Sequence, residues 1–279
     1  MNAKNRFNPN IILLAGLTLT LMTGLWSCQK VINVNLNSAA PQLVIDASIS
    51  DHPGPDTVTL SRTVNFNQDN TFPPVTGATV VISDNHGNID TLKEVIPGKY
   101  LNYTMRGIPG RTYFLNVNVN GALYSATSTM PFPVPIDSIA VEKISGRLVS
   151  NNLDLLISFH DPKGIDNYYR ILEKILNIRP VDGEIQLPTL GSVLTDRLSD
   201  GTEINYSAIS NQPKLVAGDT VLISLQSVDK NIYNYFRTVQ QNGSMSTTLS
   251  NPVTNITNGA LGYFSAYSVR IEKVAIPDF

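Results

Sequence analysis

Cysteine is nearly absent from this chain of 279 residues, which has one, Cys28. A lone thiol excludes an intrachain disulfide framework, so the fold must be held by its core. Histidine is scarce as well: His52, His86 and His160 lie far apart, each beside a turn, without the short regular spacing of zinc ligands. Charged side chains make up 15 % of the chain, where soluble domains usually carry about 25 %. A formal net charge of −2 leaves no basic stripe for nucleic acid. Neither a Gly-x-Ser-x-Gly elbow nor a glycine-rich phosphate loop is present. Long apolar runs are missing too, apart from the uncharged stretch Ile11–Leu25, which is short of the roughly 20 residues that cross a bilayer as a helix.

That stretch follows Lys4 and Arg6 and leads into Leu25-Trp26-Ser27-Cys28. A basic start, an apolar middle and small residues before a cut site form a secretory signal. With an aliphatic residue at −3, Ser at −1 and Cys at +1, the pattern is a bacterial lipobox, Trp26 at −2 being a departure. It predicts a signal peptide over 1–27 and a mature chain that begins at Cys28, whose sulfur carries a diacylglycerol thioether. Acyl chains of the palmitate type contribute about 0.8 kcal/mol per buried CH₂ and give lasting membrane attachment when there is more than one. Removal of 1–27 takes away two bases and no acid, leaving 18 Lys and Arg against 22 Asp and Glu, a formal charge of −4.

After a tether over 28–40, short alternating segments separated by turn signals run from Leu43 to Thr129. Asp84-Asn85-His86-Gly87-Asn88 and Asn120-Gly121 are hairpin turns by composition, because Asn and Gly accept positive φ. Met130-Pro131-Phe132-Pro133-Val134-Pro135 excludes helix and marks a boundary between segments 41–131 and 136–279. The second segment is β-rich too, with strands at Asp137–Ile144, Asn152–His160, Asn167–Ile175, Val221–Val228 and Val269–Ala275. One helix is expected near 229–241: Asp229 caps it, and Ile232, Tyr235, Phe236 and Val239 form an apolar stripe, with Tyr233 and Arg237 turned away from it. The fold class is therefore mostly β, two consecutive β-sandwiches after a lipoprotein signal peptide.

Several motifs are familiar as a set. They are Ala39-Ala40-Pro41-Gln42-Leu43-Val44-Ile45-Asp46, Gly77-Ala78-Thr79-Val80, Pro97-Gly98-Lys99-Tyr100, Asp161-Pro162-Lys163-Gly164-Ile165-Asp166-Asn167-Tyr168-Tyr169, Ser227-Val228-Asp229 and Asn258-Gly259-Ala260-Leu261-Gly262-Tyr263-Phe264. Across nearly the whole mature sequence the chain resembles the Bacteroidetes envelope lipoproteins that carry domain of unknown function 4249. Residues 41–130 also resemble a transthyretin-like or carboxypeptidase-regulatory-like, Ig-like sandwich. The resemblance implies the cell envelope, two β domains and partnership with outer-membrane TonB-dependent receptors. It implies no activity.

No residue set here reads as catalytic, and no metal or cofactor is expected. Oxygen-rich stretches at 84–90 and 161–167 lack the EF-hand spacing and read as turns. Long loops at 65–76, 177–205 and 242–260 are the candidate contact regions. Phe66, Phe72, Met245 and Asn251 are the contact candidates on these loops, and Tyr233 on the helix, since aromatic side chains anchor interfaces. The expected function is a non-catalytic, lipid-anchored envelope module that binds an outer-membrane receptor or its cargo. The alternatives are a structural envelope component and a hydrolase with an unadvertised site. Gln29-Lys30-Val31-Ile32-Asn33 lacks acids, which weakens a surface-exported reading without deciding the membrane face, and Gln29 in place of Asp at the second mature position fits passage to the outer membrane.

Overall fold

A computed structural model describes residues 40–65, 68–69, 71–146, 149–176, 191–207, 215–243 and 250–278. Cys28, Phe66 and Met245 lie outside them, as do residues 177–190 of the expected loop at 177–205.

Strand β1 (Leu43–Ser50) buries Leu43, Ile45, Ala47 and Ile49, as its alternation predicts. Leu43, Ile45 and Ile49 each contribute roughly 1.5–3 kcal/mol by leaving water. β1 runs antiparallel to β2 (Asp56–Arg62), across a turn that contains Pro53, Gly54 and Pro55. β3 (Thr79–Asp84), β4 (Ile89–Thr91), β7 (Thr112–Val119) and β8 (Ala122–Thr129) form a four-stranded sheet in the order β4-β3-β7-β8. The segment from Ile89 to Ile96 divides between the two sheets. β4 pairs with β3, whereas β5 (Lys93–Ile96) pairs with β6 (Lys99–Asn102) in the other sheet. Leu92, 6 % exposed, is the corner at which the chain changes sheet, a usual way for sandwiches to close. Between the sheets lies a first core that includes Ile45, Leu60, Ile82, Tyr100, Tyr113 and Leu115.

The chain leaves this core after Met130 and enters a second at Val134. There β9 (Ser138–Gly146), β10 (Val149–His160) and β13 (Glu203–Ser207) form a three-stranded sheet, in the order β13-β10-β9. It packs Leu155, Ile157 and Phe159 against Tyr169 and Ile171 of β11 (Tyr168–Ile175) and Ile223 and Leu225 of β14 (Thr220–Ser227). Strand β12 (Ser192–Thr195) borders β11.

The last strand, β15 (Leu261–Ala275), serves both halves. Residues 261–267 run parallel to β1, and residues 268–275 run antiparallel to β14 on the opposite edge. The result is one eight-stranded sheet, β12-β11-β14-β15-β1-β2-β6-β5. The segment 136–279 therefore does not close on itself: Ile256, Ala260, Phe264 and Ala266 belong to the first core. The loop expected over 242–260 is ordered strapping where it is described. Asn255 brackets Phe264, donating from Nδ2 to its carbonyl at 2.8 Å and accepting its N–H at 3.0 Å, while Ile256 bridges to Ala126. The strap meets the edge of β15 that β1 leaves open, where unpaired backbone groups need partners.

Candidate functional site

The helix α1 (Lys230–Gly243) begins where expected. Asp229 Oδ1 accepts the N–H groups of Asn231 and Ile232 at 2.9 and 3.0 Å, satisfying two of the donors that a helix start leaves open. Its other oxygen accepts the Ser128 hydroxyl at 2.5 Å, which pins the helix start to β8. Val228, Ile232 and Phe236 are buried and pack against Tyr235, Tyr263 and Tyr267. The Arg170 guanidinium lies 3.6 Å from the Phe236 ring centre, a cation–π contact that anchors the helix over β11. Burial outweighs its acidic and phenolic neighbours and holds the Arg170 pKa below its usual range.

Two turns face this helix. In the turn over 161–167, Asn167 donates its side-chain amide to the carbonyls of Pro162 and Ile165, at 3.3 and 2.9 Å. The turn over 196–202 approaches it through three carboxylates. Asp161 accepts the Tyr169 hydroxyl at 2.5 Å and the Gly201 N–H at 3.1 Å. Asp196 accepts the Asn167 N–H at 2.7 Å, and Asp200 accepts the Gly164 N–H at 2.6 Å. One oxygen from each of the three acids falls within 4.8 Å of the others. Such a set can hold a hard cation, although their donors already account for the turn geometry. Burial first, then Asp161 and Asp166, pushes the Asp196 carboxyl up. The sequence signal for this grouping is the pairing of Asp161-Pro162-Lys163-Gly164 with Asp196…Asp200-Gly201; nothing in the linear spacing shows that the two turns meet.

Between the turns and α1 opens a cleft of about 640 Å³. Asp166, Asp196 and Asp200 line one wall, and Lys230, Asn234 and Arg237 line the helix side. Tyr168 and Tyr233, with ring centres 5.1 Å apart, are its aromatic surface, and Arg237 lies 5.6 Å above the Tyr233 ring. Tyr233 is thus half-buried against Tyr168 rather than turned outward, because the strand carrying Tyr168 passes beneath the helix face. Of the adjacent pair Tyr168-Tyr169, one faces the cleft and the other is fully buried in the second core, as strand alternation requires. A second polar cleft of about 640 Å³ lies along the other flank of α1, lined by Asn231, Arg237, Thr238, Ser125, Thr127 and Thr254 among others. Asn234 and Arg237 border both.

Tyr233 is the one described contact candidate that lines a cleft. Phe72, 55 % exposed, precedes the segment that bridges Pro74 to Ser61, and Asn251 lies exposed in the strap after α1; neither lines these clefts. Both oxygen-rich stretches are turns. Asp84 accepts from His86 N, Asn88 N, Asn88 Nδ2 and Arg111 Nη1. Burial pushes its carboxyl up, yet these donors outweigh burial and hold it well below the usual range. The histidines are dispersed. His86 pairs with Asn85 at 2.9 Å, and the hydrogen bond from His160 to Asp137 at 2.6 Å raises the His160 imidazole pKa.

The sequence model of the family described as Domain of unknown function (DUF4249) matches residues 29–273, and the chain belongs to that family. No curated protein matches the chain significantly.

Proposed function

We propose that this family member is a non-catalytic binding module of the outer membrane, held there by lipid on Cys28. Its α1 face would engage a TonB-dependent-type receptor or that receptor's cargo. The observation that carries the reading is the Tyr168–Tyr233 pair in a polar cleft edged by charges of both signs. Half-exposed aromatics beside arginine supply large contact area at low entropic cost, the composition of interface hot spots. A lipid anchor confines such a face to a thin layer and raises its effective concentration near a neighbouring barrel.

The test is mild-detergent purification from native outer membranes through a C-terminal tag, with mass spectrometry of the eluate. A stoichiometric β-barrel receptor supports the proposal. A protein that elutes alone, from membranes in which the candidate receptor is expressed, overturns the receptor reading.

A further inference from the structure

Away from the α1 clefts, a smaller cleft of about 290 Å³ opens beside the turn between β1 and β2. The turn forms because Asp56 Oδ1 accepts both the backbone N–H and the hydroxyl of Ser50, at 3.0 and 2.9 Å. This leaves Oδ2. Asp56 is 7 % exposed, and among the described residues its Oδ2 meets no hydrogen-bond donor. A buried carboxylate oxygen without a donor is costly. Asp56 is one wall of the cleft, and Ser48, Thr57, Ser224, Gln226 and the Tyr267 phenol complete it. The rim is His52, Pro53, Gly54 and Pro55.

We propose that this cleft binds a primary ammonium group, which draws the enclosed Asp56 Oδ2 to the cleft wall and donates to it and to the surrounding hydroxyls while lying against the Tyr267 ring. An ammonium offers three donors and a positive charge, matching a lining of hydroxyl and carbonyl acceptors around one acid. An aromatic face adds cation–π attraction. Val269 and Ile271, also in the lining, suit a short aliphatic stem. Both a free alkylamine and the side chain of a partner's lysine present this group.

Asp56 carries its own pH signature. Burial, the largest influence, pushes its carboxyl up to about 6 against the opposing hydrogen bonds from Ser50, and Asp51 adds to the rise. The other charged or titratable groups around it are His52 on the turn, Tyr267 on β15, Tyr113 on β7 and Arg270, which Asp51 pairs. An ammonium ligand selects the ionised acid, so affinity falls about tenfold from pH 8 to pH 5.

The probes are butylammonium, butanol as its neutral counterpart, and Nα-acetyl-lysine methylamide, titrated calorimetrically into the full chain. Expected are binding of butylammonium at pH 8, about tenfold weaker at pH 5, no binding of butanol, and loss of binding in Asp56→Asn. Binding of the lysine derivative as tightly as butylammonium assigns the site to a partner's side chain; discrimination against it assigns the site to a free amine. His52→Ala removes the rim imidazole from the pH comparison. In the unmutated protein, carboxyl ¹³C NMR should show the Asp56 midpoint moving down when butylammonium is added. Equal binding of butanol, or an unmoved midpoint in excess butylammonium, overturns the proposal.

Discussion

Asp51 holds Val269 across the join between the two halves of the protein: its Oδ1 accepts the Val269 N–H at 2.8 Å. Its Oδ2 accepts Arg270 Nη1 at 2.9 Å, and its backbone carbonyl accepts Arg106 Nε at 2.7 Å. Val269 lies just past the point where β15 stops pairing with β1 and starts pairing with β14, so the carboxylate takes over from the ladder. Asp51→Ala strands a buried N–H and should cost about 2–3 kcal/mol, whereas Asp51→Asn, which keeps an acceptor, should cost about 1 kcal/mol. Urea unfolding followed by far-UV circular dichroism checks both values. Equal losses in the two variants would rule out the acceptor role.

Glu173 gives the stability a pH dependence. It shares a sheet face with Ile171 and Ile175, and through its register with β14 it lies beside Ile223. Burial, and secondarily Asp154, pushes its carboxyl up to about 7. Tyr206, raised in pKa chiefly by burial, also faces this acid. A carboxyl raised in the fold opposes folding once it is ionised in the unfolded chain. The loss is absent below about pH 4, grows as pH rises, and is complete above about pH 7, where it amounts to roughly 3 kcal/mol. Glu173→Gln should therefore stabilise the protein at pH 8 and leave it nearly unchanged at pH 4. Paired urea melts at those two pH values are the measurement, and an equal shift at both would exclude the titration.

Gly262 tolerates no side chain. Its φ is +96°, and a Cβ there would come within 2.0 Å of the Ile45 carbonyl oxygen, in the backbone of the neighbouring strand. Gly262→Ala should cost more than about 3 kcal/mol or prevent folding, since both the conformation and the strand spacing oppose it. Gly121, with φ +88° and nothing within 4 Å of the added carbon, isolates the conformational part. Gly121→Ala should cost only about 1 kcal/mol, and thermal unfolding of the pair separates the contributions.

Tyr233→Ala removes the ring that lies on Tyr168 and under Arg237. Since the ring is only half-buried, the melting temperature should fall by a few degrees, while recovery of a copurifying receptor should fall at least tenfold, as hot-spot truncations do. Phe72→Ala and Asn251→Ala, outside the cleft, should leave recovery unchanged.

How far the sequence could be read follows from the range of the interactions. The alternation of β1, the Asn120-Gly121 hairpin and the Asp229 cap each operate within a few residues, and each lies where the local pattern puts it. The split at Leu92 is also local, but a strand changing sheets and a strand continuing look alike in their alternation. What the pattern does not carry is pairing across long separations. The parallel match of Val44 with Leu261, the bracket of Asn255 around Phe264 and the meeting of Asp161 with Asp196 and Asp200 depend on which strands become neighbours. Alternation alone is silent on that. For the same reason Tyr233 reads as outward on a helical wheel, although Tyr168 is there to receive it.

The shared strand β15 sets the order in which this protein can mature. The first core lacks Phe264 and Ala266, and β14 in the second has only β11 beside it, until residues 261–275 have joined. A chain that emerges amino end first therefore carries two unfinished halves to its last stretch, then completes both in one event. Contacts bridging more than two hundred residues make that event slow and leave exposed strand edges waiting. Until that strand arrives, the free edges of β1 and β14 are open to pairing with other strands, so the partly made chain is most prone to aggregate just before it is complete.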